Sequence, residues 1–358
     1  MDQYTGTKPV AEGHTFDIGA LERHLSAKLE GFKGPLTVEQ FKGGQSNPTY
    51  KLVTPGASYV MRAKPGPAAK LLPSAHAIDR EFTVMRALHP TGVPVPRMFV
   101  LCEDESVIGR AFYVMEFVQG RVLWDQSLPG SDNAGRAAIY DEMNRVMAAL
   151  HNVDVKAAGL ENYGKPGNYF ERQIGRWSKQ YIASITEPIP EMDRLMEWLP
   201  AHMPASARDE SQVSVVHGDY RLDNLVFHPS EPRVLAILDW ELSTIGHPLA
   251  DFSYHCMSWH IPASMSRGIG GLDIAALGIP SEKEYVRRYC ERTGRGDPDV
   301  VMADWPFYMA YNLFRMAGIL QGIAKRVVDG TASSAQAKVA AAGARPLAEM
   351  GWKIAQRS

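Results

Sequence analysis

Ile18, Leu21, Leu25 and Leu29 recur at helical spacing, which predicts a short amphipathic helix over 17–30. Residues 1–16 before it read as a loose tail. From Leu36 the period changes: LTVEQFK, TYKLV and SYVMRA, separated by Gly-, Pro- and Asn-containing turns, read as β-strands. Ile78, Phe82 and Met85 share one face of a helix predicted over 76–88, and RMFVLC and RAFYVMEFV read as two further strands. The first 120 residues therefore predict a mostly antiparallel sheet with one inserted helix. After Gln119-Gly120 helical periodicity takes over, at 136–151, 171–185 and 190–203, with a β interlude over 213–240. The remainder reads as mostly helix, with a Gly- and Ser-containing loop at 263–272 and an Ala-rich terminal helix at 334–356. The expected architecture is α+β, a β-rich lobe over 1–118 followed by a larger helical lobe over 119–358.

Composition narrows the function. The 358 residues are 45% hydrophobic and 22% charged, which is ordinary for a globular protein and argues against extended disorder. The net charge is −2 and Lys and Arg do not cluster, so nucleic acid is not an expected partner. Cys102, Cys256 and Cys290 have the spacing of no zinc or redox motif and fit a reducing compartment. The N-terminus lacks a secretory pattern and no run of eighteen apolar residues occurs, so a cytoplasmic protein with no membrane partner is expected. Oligomeric state has no signature in the sequence.

The chemistry concentrates in 215–241, VVHGDYRLDNLVFHPSEPRVLAILDWE. Phosphoryl transfer needs a group to orient an acceptor hydroxyl and take its proton, and oxygen ligands for the metal ions that bridge nucleotide phosphates. His217-Gly218-Asp219 followed by Asn224 sets a carboxylate and an amide five residues apart. Asn224–Phe227, the turn His228–Pro232 and the returning run Arg233–Leu238 form a hairpin that brings Asn224 and Asp239 to the same end. Any one of these polar residues alone would be read as a loop cap; the combination points to a site.

This stretch resembles the catalytic loop and metal-binding Asp of the aminoglycoside phosphotransferase and choline kinase superfamily, relatives of the protein kinases. The resemblance implies a protein-kinase-like two-lobed fold, ATP and Mg²⁺ as cofactors, and a small-molecule hydroxyl as phosphate acceptor. It makes Asp219 the base, Asn224 and Asp239 the Mg²⁺ ligands, His217 a brace for the loop, and Arg221 a cation for the transferring phosphoryl group. Gly43, Gly44, Ser46 and Asn47 look like the nucleotide-positioning loop. Arg62 stands where the family normally has a phosphate-binding Lys, with Lys64 as a nearby alternative and Glu81 as the acidic partner. The backbone of Glu116 and Val118 looks like the adenine-pairing hinge, and Asp251 like the helix residue that holds the catalytic loop from below. Asp239-Trp240-Glu241 replaces Asp-Phe-Gly; Glu241 reads equally as a metal contact or an ion-pair partner.

Tyr59–Pro65, Leu72–Glu81, HGDYRLDN and ILDWELSTIGHPLAD are also similar to one branch, the kinase-like half of acyl-CoA dehydrogenase fusion proteins. That similarity implies a hydroxyacyl-CoA acceptor. Residues 253–358 hold thirteen Lys and Arg against nine Asp and Glu, a net +4 that suits an anionic or CoA-linked acceptor better than a polycation. A nucleotide-binding pseudokinase, an aminoglycoside- or choline-type kinase of the same family, and a metal-dependent hydrolase are the competing readings. His247, His255 and His260 share no helical face for a metal. Gln173, Trp177 and Tyr181 form a stripe that reads as packing, or, if it lines a cleft, makes Arg172 and Trp177 acceptor candidates. Met302, Met309 and Met316 read as core.

Overall fold

The computed structural model describes residues 6–42, 47–65, 77–165, 167–265, 267–331 and 335–357. The chain forms two compact units: residues 1–124, 158–163 and 222–243 make the first, and 125–157, 164–221 and 244–358 the second. Beside the boundary expected at 118/119, this division is discontinuous: the hairpin within 222–243 belongs with the β-rich N-terminal residues.

In the first unit, β1 (Thr7–Lys8), β2 (Thr37–Phe41), β3 (Thr49–Val53), β4 (Ser58–Ala63), β5 (Met98–Cys102) and β6 (Phe112–Glu116) form one antiparallel sheet in the order β1-β2-β3-β4-β6-β5. Helix α1 (Ile18–Lys28) is capped by Asp17, whose carboxylate accepts from Ala20 N at 2.9 Å. Its Leu21 and Leu25 bury against Tyr50, Leu52, Met61, Phe112 and Val114 of the sheet, one face of alternating strand positions. Helix α2 (Ile78–Leu88) buries Ile78, Phe82 and Met85, the predicted stripe, and also Glu81. A second antiparallel sheet joins β7 (Arg121–Val122), β9 (Leu225–Phe227) and β10 (Val234–Ile237). Gly120 enters β7 so close to β9 that a Cβ there would lie 2.3 Å from the Phe227 carbonyl oxygen, which only glycine permits.

In the second unit come α3 (Asn133–His151), α4 (Tyr169–Ser184), α5 (Pro190–Ala201), the short α6 (Ala205–Arg208) and β8 (Ser214–Val216). After the hairpin follow β11 (Thr244–Gly246), α7 (Pro248–Cys256), α8 (Glu282–Thr293), α9 (Pro298–Ala303), α10 (Trp305–Val328), α11 (Ala335–Ala341) and α12 (Ala344–Ala355). β11 pairs antiparallel with β8 and extends the β segment past 240, a pairing with only Ile245 as a local apolar signal. Helix α3 starts three residues before 136 because Asp132 caps it, accepting from Gly135 N at 2.7 Å. The single helix expected at 334–356 is two helices. Gly343 lies at the break, where a Cβ would come within 2.9 Å of Leu320 Cδ1.

Helix α10 runs through the core of this unit, burying Phe307, Tyr308, Met309, Tyr311, Leu313 and Phe314. Phe170 packs edge-on against Tyr311 (4.9 Å between centroids), and Phe252 stacks on Tyr289 at 3.8 Å. Met309 is core as expected, whereas Met302 and Met316 are half-buried and Met302 sits on α9. Among the described residues no helix is long and apolar enough to cross a membrane. The result is a protein-kinase-like α+β fold: an antiparallel sheet in the N-terminal region and a helical C-terminal portion.

Candidate active site

The first unit gathers a charged cluster at Arg62, a residue on β4. Its Nη1 lies 3.2 Å from Glu81 Oε2, and its Nη2 lies 2.8 Å from Asp239 Oδ1 and 3.3 Å from Glu241 Oε2. Glu81 is 1% exposed and also accepts from Tyr113 OH (3.1 Å) and Asn47 Nδ2 (3.3 Å). Burial pushes the Glu81 carboxyl up to about 7; Arg62 pulls it back, while Asp239 and Glu241 add to the rise. For Arg62 burial works against the charge, but Glu81 and Asp239 outweigh it and hold the guanidinium ionised.

Asp239 follows β10 in a left-handed conformation (φ 66°, ψ 60°), uncommon for a residue with a side chain. In the hairpin Ile237 pairs with Leu225, and Leu238 N donates to Asn224 O at 2.8 Å. Asn224 and Asp239 therefore do stand at the same end, as the spacing predicts. Asn224, Asp239 and Glu241 offer only hard oxygen ligands. Three carboxylates around one guanidinium leave a surplus of negative charge. That donor chemistry fits Mg²⁺, which takes one or two carboxylates and completes its shell with phosphate and water.

Of the remaining nucleotide candidates, Gly43, Gly44 and Ser46 lie outside the described residues. Asn47 is fully buried, with its amide on Glu81. Lys64 follows β4 two residues beyond Arg62, and its backbone N donates to Ala111 O at 3.0 Å. Glu116 ends β6 opposite Tyr59; its backbone N donates to Arg97 O and its carboxylate accepts from Arg97 N. Val118 lies two residues beyond.

The second unit carries the loop itself. Gly218 takes φ +83°, the left-handed bend that places Asp219 after His217. Asp251 on α7 accepts from His217 N (2.6 Å) and Gly218 N (2.8 Å), and His151 Nε2 lies 3.3 Å from it. Burial alone would raise Asp251, but His151 and the loop amide outweigh it and hold the carboxyl below its usual range. His217 Nδ1 accepts from Asp219 N at 3.2 Å. Both bracing roles expected of His217 and Asp251 are thus present as contacts.

Asp219 Oδ2 lies 3.0 Å from Arg221 Nη2, and its Oδ1 accepts from Tyr254 OH at 2.5 Å. Burial, then the Asp219 charge, push the Tyr254 phenol up, so it remains a donor. Arg315 on α10 donates to Gly218 O at 2.8 Å, and its guanidinium lies over the rings of Tyr254 and Trp177. Tyr254 and Arg315 were not singled out from the sequence. A signal existed for each: Tyr254 is three residues after Asp251 on one helix face, and Arg315 is the sole charge over the aromatic and apolar stretch 305–324.

The other candidates have structural partners. His247 lies 3.0 Å from Ser206 O, His255 2.8 Å from Tyr285 OH, and His260 2.8 Å from Glu282. In the Gln173 stripe, Trp177 and Tyr181 are buried. Arg172 donates to Lys165 O at 2.6 Å.

A carboxylate-bearing loop braced from a helix, an Asn–Asp hairpin and a strand cation paired to a helix Glu are the parts of a kinase-type phosphotransferase. A profile of the phosphotransferase enzyme family (APH) matches residues 37–297, and the chain belongs to that family. Over 354 residues it is 46% identical to acyl-CoA dehydrogenase family member 10 of Mus musculus, covering 98% of this chain and 32% of that protein. It is 44% identical to acyl-CoA dehydrogenase family member 11 of Rattus norvegicus, covering all of this chain and 46% of that one. The chain thus spans less than half the length of these relatives. A Ralstonia eutropha crystal structure, provisionally assigned as an aminoglycoside phosphotransferase, is 64% identical with TM-score 0.87, covering 96% of this chain and 99% of that one. The GDP complex of aminoglycoside 2′-phosphotransferase-IIIa shares the fold at TM-score 0.61 and 15% identity, covering 94% and 99% of the two chains.

Proposed function

We propose that this chain is an ATP- and Mg²⁺-dependent kinase that phosphorylates a hydroxyl of a small molecule. Family membership supports the reaction class. The observation that carries the reading is the hairpin register that sets Asn224 beside Asp239, with Asp239 in its strained conformation at the strand end.

In this reading Asp219 takes the acceptor hydroxyl proton, and Arg221 counters charge on the transferring group. The hydroxyl oxygen bonds to the γ-phosphorus of ATP as the bridging P–O bond breaks, and ADP leaves. Asn224 and Asp239 would hold Mg²⁺, which supplies neutralisation of phosphate charge. Arg62, set by Glu81, binds the α- and β-phosphates, with Lys64 as second candidate. Gly43, Gly44, Ser46 and Asn47 form the phosphate loop, and the backbone of Glu116 and Val118 meets the adenine. Residues 1–118 form the nucleotide-binding lobe and 119–358 carry the catalytic loop and the acceptor site, in a cytoplasmic setting.

For the acceptor, the similarity to acyl-CoA dehydrogenase family members 10 and 11 and the net +4 of residues 253–358 support a hydroxyacyl-CoA over a polycationic aminoglycoside. One observation favours a non-catalytic nucleotide binder instead: Asp239 is engaged by Arg62. Calorimetric titration with ATP, with and without Mg²⁺, separates the readings. The kinase reading expects saturable, Mg²⁺-strengthened binding that Asp239→Ala weakens at least tenfold. Binding indifferent to Mg²⁺ and to Asp239→Ala favours the pseudokinase, and absence of binding overturns both.

A further inference from the structure

Arg315 lies mid-helix in α10 and is 9% exposed. A guanidinium has five N–H donors, and buried donors are ordinarily satisfied. Only one hydrogen bond from Arg315 is found among the described residues, Nη2 to Gly218 O at 2.8 Å. No carboxylate there pairs with it. Asp219 is within electrostatic reach but is engaged by Arg221 and Tyr254. Asp251 gives its oxygens to the loop amides and His151. The unused edge of Arg315 is not sealed: its nitrogens are not among the fully enclosed orphans, unlike Arg62 Nε. Beside it, Trp177 is 7% exposed and its Nε1 is enclosed with no partner among the described residues.

Two rings flank this cation. The guanidinium carbon is 5.0 Å from the Tyr254 ring centroid and 5.6 Å from that of Trp177. Tyr254 therefore touches both groups at once, its hydroxyl on Asp219 and its face on Arg315. The aromatic faces fix the guanidinium plane, and a planar fork with open donors matches a carboxylate or phosphate.

Resting on the kinase reading above, we propose that Arg315 is the acceptor-specificity residue, binding an anionic group that the acceptor carries close to its reactive hydroxyl. The substrate class is then a free hydroxy acid or hydroxyl-bearing phosphate, which takes the place of the hydroxyacyl-CoA considered above, whose thioester is neutral. A polycation meets repulsion from Arg315 at the same place. Tyr254 and Trp177 hold the guanidinium in position.

The test uses matched pairs that differ only in charge: 3-hydroxybutyrate against 3-hydroxybutanamide, and glycerol 2-phosphate against glycerol. Binding to the full chain is titrated by NMR without nucleotide, so the result stands whether or not turnover is found. Wild type should bind the anion of at least one pair about tenfold or more tightly than its neutral partner. Which pair responds tells carboxylate from phosphate. Arg315→Gln should bring that ratio to near one with Mg²⁺-ATP affinity unchanged, and Arg315→Lys should keep part of it. Equal binding of anion and neutral partner by wild type overturns the proposal. So does an undiminished ratio in Arg315→Gln whose melting temperature shows it folded. If Mg²⁺-ATP binding is absent while the anion preference holds, the kinase reading fails and the anion site stands.

Discussion

Arg62 and Asp239, 177 positions apart in the chain, are joined by a 2.8 Å ion pair within one compact unit. The same guanidinium reaches Glu81, which is 1% exposed. Removing the arginine strands a buried carboxylate. Arg62→Met should cost on the order of 3 kcal/mol in thermal or denaturant unfolding. Arg62→Met combined with Glu81→Gln should recover most of that loss. Equal stability of the two variants would show that the pair holds nothing together.

The Glu81 carboxyl is pushed up to about 7 from its ordinary 4.5. Between those values the folded chain keeps a proton that the unfolded chain has lost. Raising the pH through that window therefore removes stability, and the loss is complete above the folded value. Metal-free protein should lose melting temperature between pH 5 and pH 8 by more than Glu81→Gln does. Parallel profiles for the two would contradict this.

His247 and His255 have the opposite sign. Burial pushes both imidazoles down to about 4. Their contribution is full above about 6.5, the unperturbed value, and is lost as the pH falls from there toward 4, because only the unfolded chain binds the proton. Each is worth on the order of 3 kcal/mol across that span. His255→Gln should fall less than wild type between pH 7 and pH 5 in melting experiments; an identical fall would locate the acid sensitivity elsewhere.

Tyr254 donates to the carboxylate proposed as the base. Tyr254→Phe keeps the ring over Arg315 and deletes only the hydroxyl. Turnover should drop about tenfold, with the KM for ATP unchanged. A variant with unaltered rate would reduce Tyr254 to packing.

Much of this was legible because it is local. Asn224 and Asp239 are linked by one short hairpin, so their register follows from the run lengths between them. His217 and Asp251 could be assigned as loop braces by resemblance, and their contacts bear this out. What escaped depends on distant chain segments. Tyr254 and Arg315 meet around Gly218 and Asp219 only through packing of α7 and α10, and no local spacing encodes it. The helix break at Gly343 lies against Leu320, more than twenty residues earlier, so the close approach is not visible in the local sequence. The pairing of β11 with β8 likewise spans the whole hairpin.

The most direct test of the kinase account is Mg²⁺-dependent ATP turnover with a panel of hydroxyacyl-CoAs, hydroxy acids, sugars, choline and aminoglycosides, comparing wild type with Asp219→Ala. The account predicts phosphorylation of one acceptor class by wild type, a fall in kcat of about a thousandfold in Asp219→Ala, and nucleotide binding kept in both. Turnover undiminished in Asp219→Ala would contradict the assignment of the base, and a wild type that does not bind ATP would contradict the account as a whole.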